Sequence, residues 1–311
     1  MSGGIFYADN SSKRGIAIII VILFLVISIY PAQVNSKTTI TKNEQTEDIF
    51  FGLKSHVDVT WDENATLKPV VPNSGVLILP LNISYWVTGG IFGRLTNYYL
   101  SHRHFPVYIE LEIIDKPEWC DTSIDDPIIS IKIPPKQNIK YSGYSNLYVT
   151  VTEKAPAFEK FPITIKATMD RELKGPFRFI TLLSPATITK NVTLIVGYWV
   201  PMGYYFPEGI EIETPPLIEK QLPIIAHNFG NGKTLLECKI IESPPGFLVN
   251  FDPENLILEV GEENTTYLKI TAPSNFSGRE TIITSFTPHY YYNYSIMDHT
   301  ENITINVFYY T

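Results

Sequence analysis

The chain has 311 residues, 44% hydrophobic and 18% charged. That is enough apolar material for two buried cores and too much for a disordered chain. A formal net charge of -8, with no basic patch, excludes nucleic acid as an expected partner. Two cysteines alone, Cys120 and Cys238, exclude both a multiply bridged secreted scaffold and a zinc site.

The first strong feature is "SSKRGIAIIIVILFLVISIYPAQVNSK". Lys13 and Arg14 precede sixteen uncharged residues, Gly15 to Tyr30. An apolar run behind two cations reads as insertion into a bilayer, with the cations kept cytoplasmic. Sixteen residues fall between the core of a signal peptide and a full span. Residues 1–36 are therefore read as a signal or anchor helix, with Val34-Asn35-Ser36 offering a cleavage site. An uncleaved helix would place the protein in the cell membrane, N-terminus cytoplasmic and bulk extracytoplasmic. A cleaved one would give a secreted or surface protein. Residues 37–56 are polar and read as a tether. Seven N-x-[ST] sequons follow the apolar segment, at Asn64, Asn82, Asn191, Asn264, Asn275, Asn293 and Asn302. They mark candidate glycosylation sites on that side of the membrane.

Beyond the tether, short alternating runs are broken by Pro, Gly and Asn, and no convincing amphipathic helix is evident. The expectation is all-β, in antiparallel sandwiches. Three segments repeat in order. "IELEIIDKPEW" (109–119) matches "LECKIIESPPGF" (236–247), and "LYVTVTEKAPAF" (147–158) matches "TYLKITAPSNF" (266–276). "TKNVTLIVGYW" (189–199) matches "TENITINVFYY" (300–310) at seven of eleven positions, counting Val/Ile and Leu/Ile exchanges. Two tandem domains are implied, 57–202 and 203–311. The last match also implies that the second domain is complete at residue 311, with no membrane helix or catalytic domain after it. Alternation along the last pair places Val192, Leu194, Val196 and Tyr198 inward and Asn191 outward, with Ile303, Ile305, Val307 and Tyr309 inward and Asn302 outward in the second copy.

The first domain is about sixteen residues longer between its first two matched strands. The excess lies in "WVTGGIFGRLTNYYLSHRHF", about 86–105. Glycines, aromatics and arginines together suit an interaction loop, with Trp86, Phe92, Arg94, Tyr98, Tyr99 and Arg103 as its candidate contacts. The competing expectation is an insert that folds back and plugs the end of its own sandwich. His102 and His104 share one side if this segment is extended, but further metal ligands are missing.

"HNFGNGKTLL" (227–236) holds a Gly-Lys-Thr that suggests a phosphate loop. That loop needs a first glycine five positions before Gly232 and a helix after it. Position 227 is His, and "TLLECKII" alternates with a period of two. Asn231-Gly232 is instead expected at a hairpin tip, because both residues tolerate positive φ. Cys238 shares a strand face with Leu236 and Ile240 and is expected to be buried, out of reach of Cys120.

The run "NFGNGKT … SPPGFLVNFDPENLILEVGEENTTYLKITAPSNFSG" resembles immunoglobulin-like modules of archaeal cell-surface membrane proteins, of the CARDB-like and glycosidase-associated kinds. The resemblance covers roughly 209–311 well and 57–202 less well. It implies two tandem immunoglobulin-like β-sandwiches behind the N-terminal helix, for adhesion, envelope structure or partner binding, with envelope proteins or glycans as partners. No catalytic residue, metal ligand set, cofactor or nucleotide is assigned. A pilin-like filament subunit is the alternative, because Lys13-Arg14-Gly15 before an apolar run resembles a pilin processing site. An accessory domain of a hydrolase is a minor one.

Overall fold

The structure, a computed structural model, describes residues 52–175 and 181–310. The expected N-terminal helix and residues 37–51 of the tether lie outside those residues. The first strand, β1 (Leu53–Trp61), already begins inside the segment read as tether. Ser55 made that stretch look polar, but its buried hydroxyl is matched by the Tyr85 hydroxyl at 3.1 Å. The inward set Leu53, Ser55, Val57, Val59 therefore extends upstream of residue 57.

After β1 come α1 (Glu63–Thr66), β2 (Leu77–Gly89), α2 (Ile91–His102), β3 (Pro106–Asp115), β4 (Cys120–Ile124), β5 (Ile128–Lys132), β6 (Tyr141–Val151), β7 (Lys160–Met169), β8 (Leu173–Lys174), β9 (Thr181–Leu183) and β10 (Ala186–Ile195). They form two facing sheets, β4-β6-β2-β1-β9-β8 and β10-β7-β3-β5. The second half runs β11 (Met202–Tyr205), β12 (Glu211–Glu213), β13 (Glu219–Asn228), β14 (Thr234–Glu242), β15 (Leu248–Asp252), β16 (Asn255–Leu258), β17 (Glu263–Thr271), β18 (Gly278–Tyr290), β19 (Asn293–Met297) and β20 (Glu301–Tyr309). Its sheets are β11-β13-β17-β15 and β12-β20-β18-β14-β16, with β19 on β18.

The two halves share one strand order. The row β1-β2-β6-β4 answers to β11-β13-β17-β15, and β10-β7-β3-β5 to β20-β18-β14-β16. One sheet carries strands in the A-B-E-D order and the other in the G-F-C order, which makes both halves immunoglobulin-like sandwiches. Finer details repeat too. The parallel bridge Val70–Val196 in the first sandwich stands where β12 runs parallel to β20 in the second. Both Ile-Ile-acid sequences are register shifts, between Ile113 and Asp115 and between Ile240 and Glu242. Each sandwich buries its own apolar cluster.

Cys120 and Cys238 are both buried, free thiols, each inside a different cluster. Burial pushes the Cys120 thiol up to about 11 and the Cys238 thiol up to about 12, so neither is a reactive thiolate at neutral pH. Cys238 lies with Leu236 in the second core. A carboxylate there would have no cation within that apolar cluster. We expect Cys238→Asp to destabilise the second sandwich by about 3–5 kcal/mol. Hydrogen exchange should speed up along β14 and β18 while β2 and β6 keep their protection.

Candidate functional site

The segment "HNFGNGKT" links β13 to β14, which belong to different sheets. It is therefore not the expected hairpin: β13 pairs with β11 and β17, and β14 with β16 and β18. Nor does Asn231 or Gly232 take a positive φ. The connection crosses from sheet to sheet at the end of the sandwich, and there it meets the first sandwich.

Asn231, only 5% exposed, makes that meeting specific. Its Nδ2 donates to the Ala155 carbonyl (3.0 Å) and the Gly197 carbonyl (2.9 Å). Its Oδ1 accepts from the Trp199 N–H at 2.8 Å. Its own N–H donates to the Trp199 carbonyl (2.9 Å), and its carbonyl accepts from the Ala157 N–H (3.0 Å). Ala155 and Ala157 belong to the β6–β7 connection of the first sandwich, and Gly197 and Trp199 to the chain that leaves it. One asparagine thus fills both amide hydrogens and both backbone groups across the junction.

The neighbouring residues serve the same contact. Asn228 is fully buried, and its Nδ2 holds the Gly232, Leu258 and Glu259 carbonyls while its Oδ1 accepts from Gly230 N–H. At Gly230 a Cβ would lie 2.5 Å from the Trp199 carbonyl oxygen and 2.6 Å from Val200 Cα. Only glycine allows the two backbones to come that close. Thr234 Oγ1 donates to the Gly232 carbonyl at 3.1 Å, which leaves the Tyr198 hydroxyl as donor in their 2.9 Å contact. Phe158, Tyr198 and Tyr290 bring one ring each from the first sandwich, the linker and the second sandwich, with centroids 4.6–6.5 Å apart. Burial pushes the Tyr198 phenol well above its usual range.

A phosphate would find the loop's donors committed. The N–H groups of Phe229, Gly230 and Asn231 go to Pro201, Asn228 and Trp199. Lys233 Nζ pairs with Glu259 at 2.5 Å and lies over the Tyr291 ring at 4.6 Å. After it comes a strand, not a helix. Sequence reasoning saw the glycines but missed Ala155, Phe158, Trp199 and Tyr290, whose partners are distant in the chain. The available signal was the departure from the repeat, "VGYW" against "VFYY".

The other candidate residues are dispersed. Trp86 is not in a loop but on β2, stacked on His56 (5.2 Å) with Lys140 Nζ 4.6 Å from its ring, so its ring is engaged within the first sandwich. The insert is a helix, α2, rather than a loop. It carries Phe92, Arg94 and Tyr98 exposed and Tyr99 half-buried, with Arg103 just beyond its end and 5.7 Å from the Tyr99 ring. His102 ends the helix and His104 has φ 51°, so these two imidazoles are not on one side of an extended segment. Among the described residues no His, Cys, Asp and Glu cluster is placed to hold a metal ion. Asn64, Asn191, Asn264, Asn275, Asn293 and Asn302 are exposed. Asn82 differs: it lies mid-sheet on β2, half-buried between β1 and β6, with a buried Oδ1 that has no partner.

No protein-family model matches the chain, and no curated protein matches it. Among solved structures it is similar to a protein of unknown function from Porphyromonas gingivalis W83, at 12% identity and TM-score 0.26, over 81% of this chain and 99% of that one. It is similar to the D00-D0 domain of intimin at 6% and 0.31, over 81% and 99%. Domains 4 and 5 of the S-layer protein SbsC give 9% and 0.25, over 82% and 98%. The sandwich assignment comes from the chain's own strand order.

Removing the Asn231 side chain orphans the Ala155 and Gly197 carbonyls and the Trp199 N–H, each worth roughly 1–3 kcal/mol if left unpaired. Water can replace part of this at a junction. Asn231→Ala should therefore cost about 2–4 kcal/mol and split calorimetric unfolding into two transitions. Adding a magnesium nucleotide should leave the unfolding profile unchanged, whereas a phosphate loop would raise the transition temperature through binding.

Proposed function

We propose that this chain is a non-enzymatic protein of the cell surface, held in the membrane by residues 1–36, whose two sandwiches form one stiff extracytoplasmic unit for adhesion, envelope structure or partner binding. The observation that carries this reading is the joint at Asn231. A buried, fully bonded contact of this kind fixes the orientation of two modules, which a stalk or scaffold needs and a pair of independent domains does not. The apolar run behind Lys13 and Arg14 supports the anchor. The six exposed sequons support glycosylation outside the cytoplasm, with Asn82 a poor acceptor because of its crowded mid-sheet position. The turn motifs of the second sandwich favour archaeal surface modules as the relatives.

The specific observation for a second reading, a pilin-like filament subunit, is Lys13-Arg14-Gly15. Mass spectrometry of the purified protein's N-terminus separates the two. An anchor predicts residues 13–36 intact. Cutting after Gly15 contradicts the anchor in favour of a filament, and cutting after Ser36 in favour of a secreted protein.

A further inference from the structure

The helix α2 is amphipathic in the wrong sense for a lone surface helix. Its inward side is Gly93, Asn97 and Leu100, all buried. With its amide turned to suit both partners, Asn97 donates to the Pro134 carbonyl (3.0 Å) and accepts from Gln137 N–H (3.3 Å). Its outward side carries Leu95 at 47% exposure and Tyr98 at 67%, with Phe92 at 37% on the flank. Tyr98 stacks on His102, one turn along the same face. A helix facing only water would be expected to carry polar residues there.

Two placements say what this face meets. First, α2 occupies the β2–β3 connection, which answers to the β13–β14 connection where the second sandwich receives the first. The first described strand likewise begins at the α2 end, where Leu53 pairs with Gly89. Second, the chain enters beside the helix: a Cβ added at Gly89 or Gly93 would come within 2.8 Å of the Gly52 carbonyl oxygen. Only the 21 residues 31–51 separate that point from the apolar run ending at Tyr30. As a flexible coil they would span about 25 Å r.m.s.. Charge agrees. Residues 86–105 contain no acid but hold Arg94, Arg103, His102 and His104, in a chain with 32 acids and 24 lysines and arginines.

We infer that α2 is an interfacial helix, which lays Leu95 and Tyr98 into the headgroup boundary of the bilayer in which residues 15–30 are inserted, with Arg94 and Arg103 on anionic headgroups. This rests on the membrane-anchor reading of the preceding section. The apolar side chains supply burial and the arginines supply attraction to lipid phosphate. The contact sets how the two-sandwich unit stands on the membrane.

The test uses the full chain in vesicles of phosphatidylcholine containing phosphatidylglycerol. An environment-sensitive fluorophore is placed at Leu95→Cys and, in a separate protein, at Leu248→Cys on β15, which is 72% exposed. The native cysteines are buried and leave the label selective. At position 95 the expected result is strong quenching by brominated lipid and loss of most quenching by iodide; position 248 shows the opposite pattern. Arg94→Glu with Arg103→Glu, both surface changes whose folding is checked by circular dichroism, should reverse the result at 95, as should about 1 M salt, where screening shortens to about 3 Å. A chain that floats with the vesicles while position 95 stays open to iodide overturns the helix contact alone. Shielding from iodide without lipid quenching indicates a second copy and also overturns it. A chain that does not float overturns the anchor and the contact together.

Discussion

The structure turns on one buried amide. Asn231 closes five hydrogen bonds across the junction of two sandwiches, and the residues around it make those bonds feasible. Gly230 lets the backbones approach, Asn228 holds the crossing loop in shape, and Thr234 positions the Tyr198 hydroxyl. Buried polar networks of this kind are stabilising only when every member is satisfied. Here nearly every letter of "NFGNGKT" is accounted for by contact between protein segments. The sequence looks like a nucleotide loop because both uses require glycines that allow close backbone approach; the approaching group differs.

Much of the fold was legible. Alternation in the paired segments 189–199 and 300–310 places Val192, Leu194 and Val196, and Ile305 and Val307, in the cores, with Asn191 and Asn302 outside. Those positions are set by the two-residue period of a strand, which is local information. Cys238 was readable for the same reason. What failed was pairing. A period of two identifies β13 and β14 as strands but does not say that they lie in different sheets, so Asn231-Gly232 was expected at a hairpin tip. Ser55 concealed the true start of β1 because its partner, the Tyr85 hydroxyl, is thirty residues away. The helix α2 was invisible because its buried side holds Gly93 and Asn97 with a single leucine, Leu100, while Leu95 and Tyr98 face outward, which blurs the usual helical signal. The candidate site was legible only as a suspicious motif. Its partners Ala155, Ala157 and Trp199 come from the other sandwich and the linker.

Two equivalent ends of the repeat have taken different forms. In the second sandwich the end that faces its predecessor carries a short crossing loop shaped to the first sandwich. In the first sandwich the same end carries a twelve-residue helix with apolar residues outward. The tandem array therefore has a built joint in its middle and a different, helical surface where the chain enters. This asymmetry gives the molecule a direction, and it is the feature that separates it from two beads on a string.

The central claim, that Asn231 and its neighbours hold the sandwiches in one orientation, is tested most directly by a distance distribution. Spin labels at Tyr144→Cys on β6 and Leu248→Cys on β15, both 72% exposed, would report across the joint while the native thiols stay buried. Double electron–electron resonance should give a single narrow distribution. A broad distribution, as wide as that of two domains on a flexible linker, would contradict the account.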